Sequence, residues 1–140
     1  MGCRVKVRLS AGGRSITTSA LVNSGFESDR PDIMVPVNLA RLLGLWPPSR
    51  VNTVTVETGG GDVELFYASE PIDLELLLGD KPSRRLRVNV LVNPYVHEVA
   101  LSDHVASELG IVLLDIKRGL WRLKDDRPDV IRETAPEELW

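Results

Sequence analysis

The chain reads Ala20-Leu21-Val22-Asn23-Ser24-Gly25-Phe26 where an apolar segment runs straight into a polar turn. Residues 15–22 are predicted to form a strand whose continuous apolar end enters the core. Asn23, Ser24 and Gly25 then break the strand abruptly. Taken alone, this tripeptide is an ordinary turn signal, so its meaning depends on the elements around it.

Three hairpins are predicted around this turn. The first joins residues 4–9, in which basic and apolar side chains alternate, to residues 15–22 through a turn at Gly12 and Gly13. The second covers residues 50–68 and carries a flexible tip at residues 59–61, which are Gly59, Gly60 and Gly61. The third pairs residues 72–78 with residues 86–92.

Two short helices interrupt the strands. Residues 36–43 place Pro36 in a first helical turn, with Gly44 just past the end. Ser102 is a suitable N-cap for residues 103–109, which Gly110 ends. A strand, a short helix and a Leu-Gly stop thus occur at 33–45 and again at 98–110. With further strands at 111–114 and 120–123, we expect an all-β fold class, mainly β with two short helices, arranged as a small closed or nearly closed barrel.

Composition limits the class of protein. The 140 residues suit one domain. A net charge of −3 and a pI of about 5.4 argue against nucleic acid as a partner. No apolar run is long enough for a bilayer and the N-terminal residues lack an apolar signal core, so we expect no membrane association and a cytoplasmic location. The absence of glutamine is typical of thermophile proteins.

The cysteine and histidine content gives no metal site. The single cysteine, Cys3, excludes an internal disulfide and a site built on several thiolates. His97, Asp103 and His104 are too few and too scattered to predict a metal centre, and no cofactor is expected. From residue 124 onward, nine of 17 residues are charged, which predicts a solvated tail or an arm anchored by Trp140.

Residues 20–26 and the elements that follow resemble the retropepsin-like aspartic proteases, whose hallmark is an apolar strand end followed by Asp-Thr/Ser-Gly. A segment Leu-Ala-x-x-Leu-Gly-Leu follows at residues 39–45, and a glycine-tipped hairpin stands where the family carries its flap. A late segment, residues 99–115, is similar to the family's second apolar strand and helix. The resemblance covers residues 3–123 and implies a retropepsin-like acid-protease closed β-barrel over residues 1–123, followed by the charged tail or arm at 124–140.

The resemblance also implies a homodimer and assigns roles to site residues. Each subunit of the family supplies one catalytic loop, and the two aspartates share a proton while they activate water. Here Asn23 occupies the aspartate position, with Ser24 hydrogen-bonding towards the partner loop and Gly25 permitting the turn. The residues expected to contact a bound peptide follow the motif or lie in the flap: Phe26, Glu27, Ser28, Gly59, Gly60 and Gly61.

Asn23 is where the sequence departs from the hallmark of the resembled family, and this departure determines the expected function. An amide can hydrogen-bond a water molecule but cannot titrate, so the chain as written is expected to bind a peptide or unfolded protein segment in a cleft without hydrolysing it. One alternative is an aspartic endopeptidase whose active form carries aspartate at this position, either because Asn23 was engineered in to inactivate it or because Asn23 deamidates to aspartate. Another is a structural or interaction module with no peptide cleft. Residues 101–102 stand where the family has an apolar pair followed by glycine, so the second hallmark is not clearly present.

Overall fold

The computed structural model of the chain describes residues 2–48 and 53–140. Within these ranges it contains eleven strands and two short helices. In chain order they are β1 (Arg4–Ala11), β2 (Arg14–Val22), β3 (Asp32–Val35), α1 (Val37–Leu42), β4 (Thr53–Thr58), β5 (Gly61–Tyr67), β6 (Ile72–Leu76), β7 (Arg84–Val92), β8 (Val99–Leu101), α2 (Asp103–Glu108), β9 (Ile111–Asp115), β10 (Leu120–Leu123) and β11 (Arg132–Glu133).

Six of these strands close into a barrel, in the order β3-β8-β2-β1-β6-β7, because β3 also pairs with β7. The β4–β5 hairpin extends the sheet beyond β7, and β9, β10 and β11 form a separate small sheet. The predicted class, mainly β with two short helices and a closed barrel, is therefore confirmed.

The alternating pattern of β1 builds one wall of the core. Val5, Val7 and Leu9 are each 1% exposed or less, whereas Lys6 between them is exposed. Because neighbouring side chains of a strand point to opposite faces, one strand supplies both core and surface. Each of these apolar side chains contributes roughly 1.5–3 kcal/mol when fully buried.

The barrel consists of two similar halves. β2 and β7 both end in Leu-Val and are followed by asparagine, at residues 21–23 and 91–93. β2 pairs in parallel with β8, and β7 pairs in parallel with β3. β3 and β8 are antiparallel to each other, and a short helix follows each of them. The strand–helix repeat predicted at 33–45 and 98–110 is thus one part of a larger repeat that includes both preceding strands.

Both helices end as the glycines predict. Gly44 and Gly110 have φ values of +76° and +77°, a backbone conformation that side chains with a Cβ rarely adopt. At each glycine an added Cβ would lie 3.1 Å from a guanidinium nitrogen, of Arg14 and of Arg84 respectively. Pro36 differs from the prediction, since it precedes the first helical residue as an extended N-cap.

The three predicted hairpins form, as β1–β2, β4–β5 and β6–β7. The second was predicted to start at residue 50, and residues 50–52 lie outside the described part of the chain. Its tip is a turn at Gly59 and Gly60, and Gly61 opens β5 opposite Thr58.

Residues 124–140, here called the C-terminal arm, are attached to the barrel by hydrogen bonds, although ten of these 17 residues are exposed. The amide of Ala135 donates to the Arg4 carbonyl at 2.8 Å, and the amide of Glu138 donates to the Ser19 hydroxyl at 3.0 Å. The Trp140 indole Nε1 donates to the Thr18 hydroxyl at 3.0 Å. The alternative of an arm anchored by Trp140 describes this segment.

One charged residue of the C-terminal arm, Asp126, is buried, and its charge is compensated by basic side chains. The Asp126 side chain is only 1% exposed and accepts hydrogen bonds from Lys81 Nζ at 2.6 Å and Arg132 Nε at 2.9 Å. The Leu123 amide donates a third at 2.8 Å. The Arg132 guanidinium, foremost among these donors, holds the pKa of the Asp126 carboxyl well below its usual range.

Candidate functional site

The turn at Asn23 is fixed at both of its ends. Its amide donates to the Leu101 carbonyl of β8 at 3.1 Å, so the turn starts beside the strand that pairs with β2. Its side-chain Oδ1 accepts from the Gly25 amide at 3.0 Å, and its carbonyl accepts from the Phe26 amide at 3.0 Å. These bonds form an Asx turn, with the exposed Asn23 side chain at its head.

Helix α2 holds the residues that follow the turn. The Phe26 carbonyl accepts from the Asp103 amide at 2.9 Å, and Asp103 Oδ1 accepts from the Ser28 amide at 2.9 Å. Ser102, fully buried, caps the same helix by accepting from the Val105 amide at 3.3 Å. The start of α2 therefore determines the path of residues 26–28.

The Asn23 turn forms one wall of a groove of about 740 Å³. We call it the Asn23 groove. Its first wall contains five of the predicted site residues, Asn23, Gly25, Phe26, Glu27 and Ser28, together with Asp29. The opposite wall is β4, through residues 54–57, and the remaining lining side chains are Asp32, Met34, Tyr67 and Leu91. Residues 54–57 of β4 and Tyr67 of β5 therefore line the same groove as the turn at Asn23.

The other four predicted site residues lie elsewhere. Ser24 is exposed and lines a smaller depression of about 280 Å³ with Val22, Ala106 and Leu113. Gly59, Gly60 and Gly61 are exposed at the hairpin tip, outside the lining of the Asn23 groove in the described part of the chain.

Asp32 is one of the groove residues that sequence reasoning missed. It opens β3, its residue exposure is only 4%, and its Oδ2 accepts from the Ser28 hydroxyl at 2.7 Å and from the Tyr67 hydroxyl at 3.1 Å. It therefore links the loop after the Asn23 turn to the base of the hairpin. The signal in the sequence is a carboxylate at the head of an otherwise apolar strand, Asp32-Ile33-Met34-Val35.

The surroundings of Tyr67 change the pKa of its hydroxyl. Partial burial raises the pKa of its hydroxyl above the usual value, and the neighbouring Asp32 carboxylate adds to the increase. The Arg30 guanidinium lies 5.0 Å from the centre of the Tyr67 ring and opposes the increase. The hydroxyl is thus a neutral donor at ordinary pH.

The Asn23 groove is acidic. Four carboxylate side chains line it, those of Glu27, Asp29, Asp32 and Glu57, and no lysine, arginine or histidine is among the lining residues that the structure describes. Such a surface favours cationic ligands.

The groove side chains offer hydrogen bonds and negative charge. Across residues 2–48 and 53–140, no group of three or more His, Cys, Asp or Glu side chains is placed to hold a metal ion. His104 instead faces Glu108 on its own helix, at 3.7 Å. At the aspartate position of the resemblance, the Asn23 amide offers hydrogen bonds and no titratable proton.

A scan against protein-family models finds no match to this chain, and no curated protein matches it. Neither of the two six-residue helices among the described residues is long enough to cross a membrane.

Proposed function

We propose that this chain is a retropepsin-like domain that binds an extended peptide segment in the Asn23 groove without hydrolysing it. The observation that carries the proposal is the position of Asn23, whose exposed turn lines the same groove as one strand of a β-hairpin, β4. In the resembled family, the catalytic turn and the flap have this relation to each other.

The wall opposite the turn suits an extended ligand. β4 is the last strand in the described sheet order, and residues 54–57 of this strand line the groove. An edge strand offers backbone donors and acceptors to an added strand. A peptide lying between β4 and the Asn23 turn would gain hydrogen bonds from one wall and side-chain contacts from the other.

The absence of hydrolysis follows from the amide. Aspartic-type hydrolysis needs one carboxylate to take a proton from water and a second, protonated one to polarise the substrate carbonyl. A pair of Asn23 side chains in a homodimer supplies neither. General acid–base catalysis, worth roughly 10²–10⁴-fold, is therefore lost.

The homodimer belongs to the same proposal. Ser24 is exposed next to a depression lined by Val22, Ala106 and Leu113. An exposed hydroxyl beside apolar side chains suits a contact with a second copy, in which the two Asn23 turns would meet across the axis. The groove would then continue from one subunit into the other.

The endopeptidase alternative keeps one supporting observation. Asn23 Oδ1 accepts from the Gly25 amide, a bond that a carboxylate oxygen at the same position can also accept. The turn is therefore compatible with aspartate at position 23.

Binding is tested with a fluorescent pool of randomised, unstructured octapeptides, after the oligomeric state has been measured by light scattering. We expect saturable anisotropy, an intact pool by mass spectrometry, and slower hydrogen exchange at residues 23–29 and 53–67 when the pool is bound. A pool with N-methylated central residues is the matched control and should bind more weakly, because it lacks backbone donors. A dimer that binds neither pool, with unchanged exchange, would overturn the proposal in favour of the interaction module.

A further inference from the structure

The Asp32 carboxylate leaves one oxygen without a hydrogen-bond donor. Oδ2 accepts from Ser28 and Tyr67, whereas Oδ1 is buried and accepts no hydrogen bond from the residues that the structure describes. A buried carboxylate oxygen is costly when it lacks a donor. Asp32 lines the Asn23 groove, so a donor brought by a ligand would find an unused acceptor there.

Arg30 forms a long ion pair with this oxygen but does not donate a hydrogen bond to it. Its Nε lies 4.0 Å from Asp32 Oδ1, beyond hydrogen-bond distance, and its guanidinium lies over the Tyr67 ring at 5.0 Å from the ring centre. The Arg30 side chain is 59% exposed, so a ligand can displace it by replacing its contacts with Asp32 and Tyr67. Its position marks where a cation meets both an aromatic face and a carboxylate.

We infer that Asp32 and Tyr67 form a subsite for one basic side chain of the bound peptide, arginine or lysine, and that Arg30 covers this subsite until the ligand displaces it. The inference rests on the proposed peptide-binding function and adds the chemistry of the ligand. The incoming cation stacks on Tyr67, donates to Asp32 Oδ1, and meets a groove in which Glu27, Asp29 and Glu57 add negative charge.

A peptide side chain fits this site better than a bare metal ion. A single carboxylate oxygen beside an aromatic face gives too few ligands for a divalent cation. Guanidinium and ammonium groups use both features together, since each is attracted to the ring face and donates to a carboxylate. The cation that the chain itself places there, Arg30, is a guanidinium.

The test compares two octapeptide pools that differ at one fixed central position, arginine in the first and its neutral isostere citrulline in the second. The wild-type protein should bind the arginine pool more tightly, by less than the roughly fivefold that a partly exposed ion pair with a cation–π contact is worth, because Arg30 already makes both contacts. Arg30→Ala should widen the difference by removing the competing cation. Arg41→Ala, which removes an equally exposed arginine on α1, should leave it unchanged.

Variants at the subsite complete the design. Asp32→Asn should abolish the preference for arginine while binding of the citrulline pool persists. Because Asp32 also accepts hydrogen bonds from Ser28 and Tyr67, thermal unfolding checks that the Asp32→Asn variant is folded. Variants of Tyr67 provide an independent measurement. Tyr67→Phe, which keeps the ring, should retain much of the preference, and Tyr67→Leu should lose most of it.

The outcomes separate this inference from the function on which it rests. Equal binding of both pools by the wild-type protein and by Arg30→Ala would overturn the basic subsite and leave peptide binding standing. Failure of every pool to bind would overturn peptide binding and the subsite with it.

Discussion

Asn23 and Asn93 make the same turn in the two halves of the barrel. The Asn23 amide donates to the Leu101 carbonyl and the Asn93 amide to the Val35 carbonyl, at 3.1 and 3.0 Å. Each side-chain Oδ1 then accepts from the amide two residues further on, at 3.0 and 2.9 Å. Asparagine at position 23 is thus sufficient to hold the turn, and the shape of the loop does not depend on a carboxylate.

At this residue we predict that replacing the Asn23 amide by a carboxylate produces hydrolytic activity. Asn23→Asp should hydrolyse an unstructured protein at acid pH at least about 10²-fold faster than the wild-type protein, because a pair of carboxylates supplies general acid–base catalysis. Rates are measured by the release of peptide amines, after each form has been sized in solution. Inhibition by a transition-state analogue with a hydroxyl at the scissile position should accompany the activity.

Asn38→Asp is the matched control, because Asn38 is an exposed asparagine on α1 and receives the same charge change away from the groove. Its rate should equal that of the wild-type protein. If Asn23→Asp forms a dimer and stays inert, the endopeptidase alternative is excluded and binding remains. An intact-mass measurement on aged wild-type protein checks whether deamidation of Asn23 produces the same aspartate.

At the scale of elements, the cap of α2 positions the groove wall. Ser102→Ala should lower the free energy of unfolding by about 1 kcal/mol, because the Val105 amide loses its acceptor at the start of the helix. Urea unfolding followed by circular dichroism measures the change. Ser107→Ala, on the exposed face of the same helix, should be neutral or slightly stabilising; an equal loss in both variants would contradict a capping role.

Strands, hairpins and helix ends were predictable because each depends on residues close in sequence. Alternation in β1, the Gly12-Gly13 turn and the Ser102 cap are local signals, and all three are found. The larger repeat has only a weak signal in the sequence, since the matching Leu-Val-Asn segments at 21–23 and 91–93 are short. Their equivalence appears only when parallel pairing brings β2 to β8 and β7 to β3.

The candidate site was predictable only where one segment contains it. Residues 23–28 form a continuous loop, and five of these six line the groove. Asp32 and Tyr67 come from different strands, β3 and β5, so their hydrogen bond has no signature in the sequence. An arm anchored by Trp140 was one of the predicted alternatives, but its contact residues were not predictable, because Arg4, Thr18 and Ser19 lie at the other end of the chain.

At the scale of the whole molecule, the C-terminal arm should make the free energy of unfolding depend on pH in the acid range. The pKa of the Asp126 carboxyl is lowered in the folded state, chiefly by the Arg132 hydrogen bond. Its contribution to stability is therefore complete above its unfolded pKa, about 4, and is lost as pH falls below that value.

Asp126→Asn should lower the free energy of unfolding at pH 7 by about 2 kcal/mol, the scale of a lost charged hydrogen bond. The difference from the wild-type protein should shrink as pH falls below about 4, because the carboxyl then takes up a proton in the unfolded state while the folded state still holds it as a carboxylate. Urea unfolding at several pH values measures both effects. Asp129→Asn, on a side chain that is 71% exposed, is the control, and a constant difference between wild type and Asp126→Asn at all pH values would contradict this account.

The closure of the barrel through β3 has a consequence for how the chain is synthesised. β3 lies between β7 and β8, and β8 also separates it from β2. No partner for either side of β3 exists on the ribosome until translation has passed residue 92, and the ring cannot close before Leu101 has emerged. The nascent first half therefore exposes unpaired strand edges, which are prone to aggregation. Chaperone binding or rapid elongation would limit the time for which these edges are exposed.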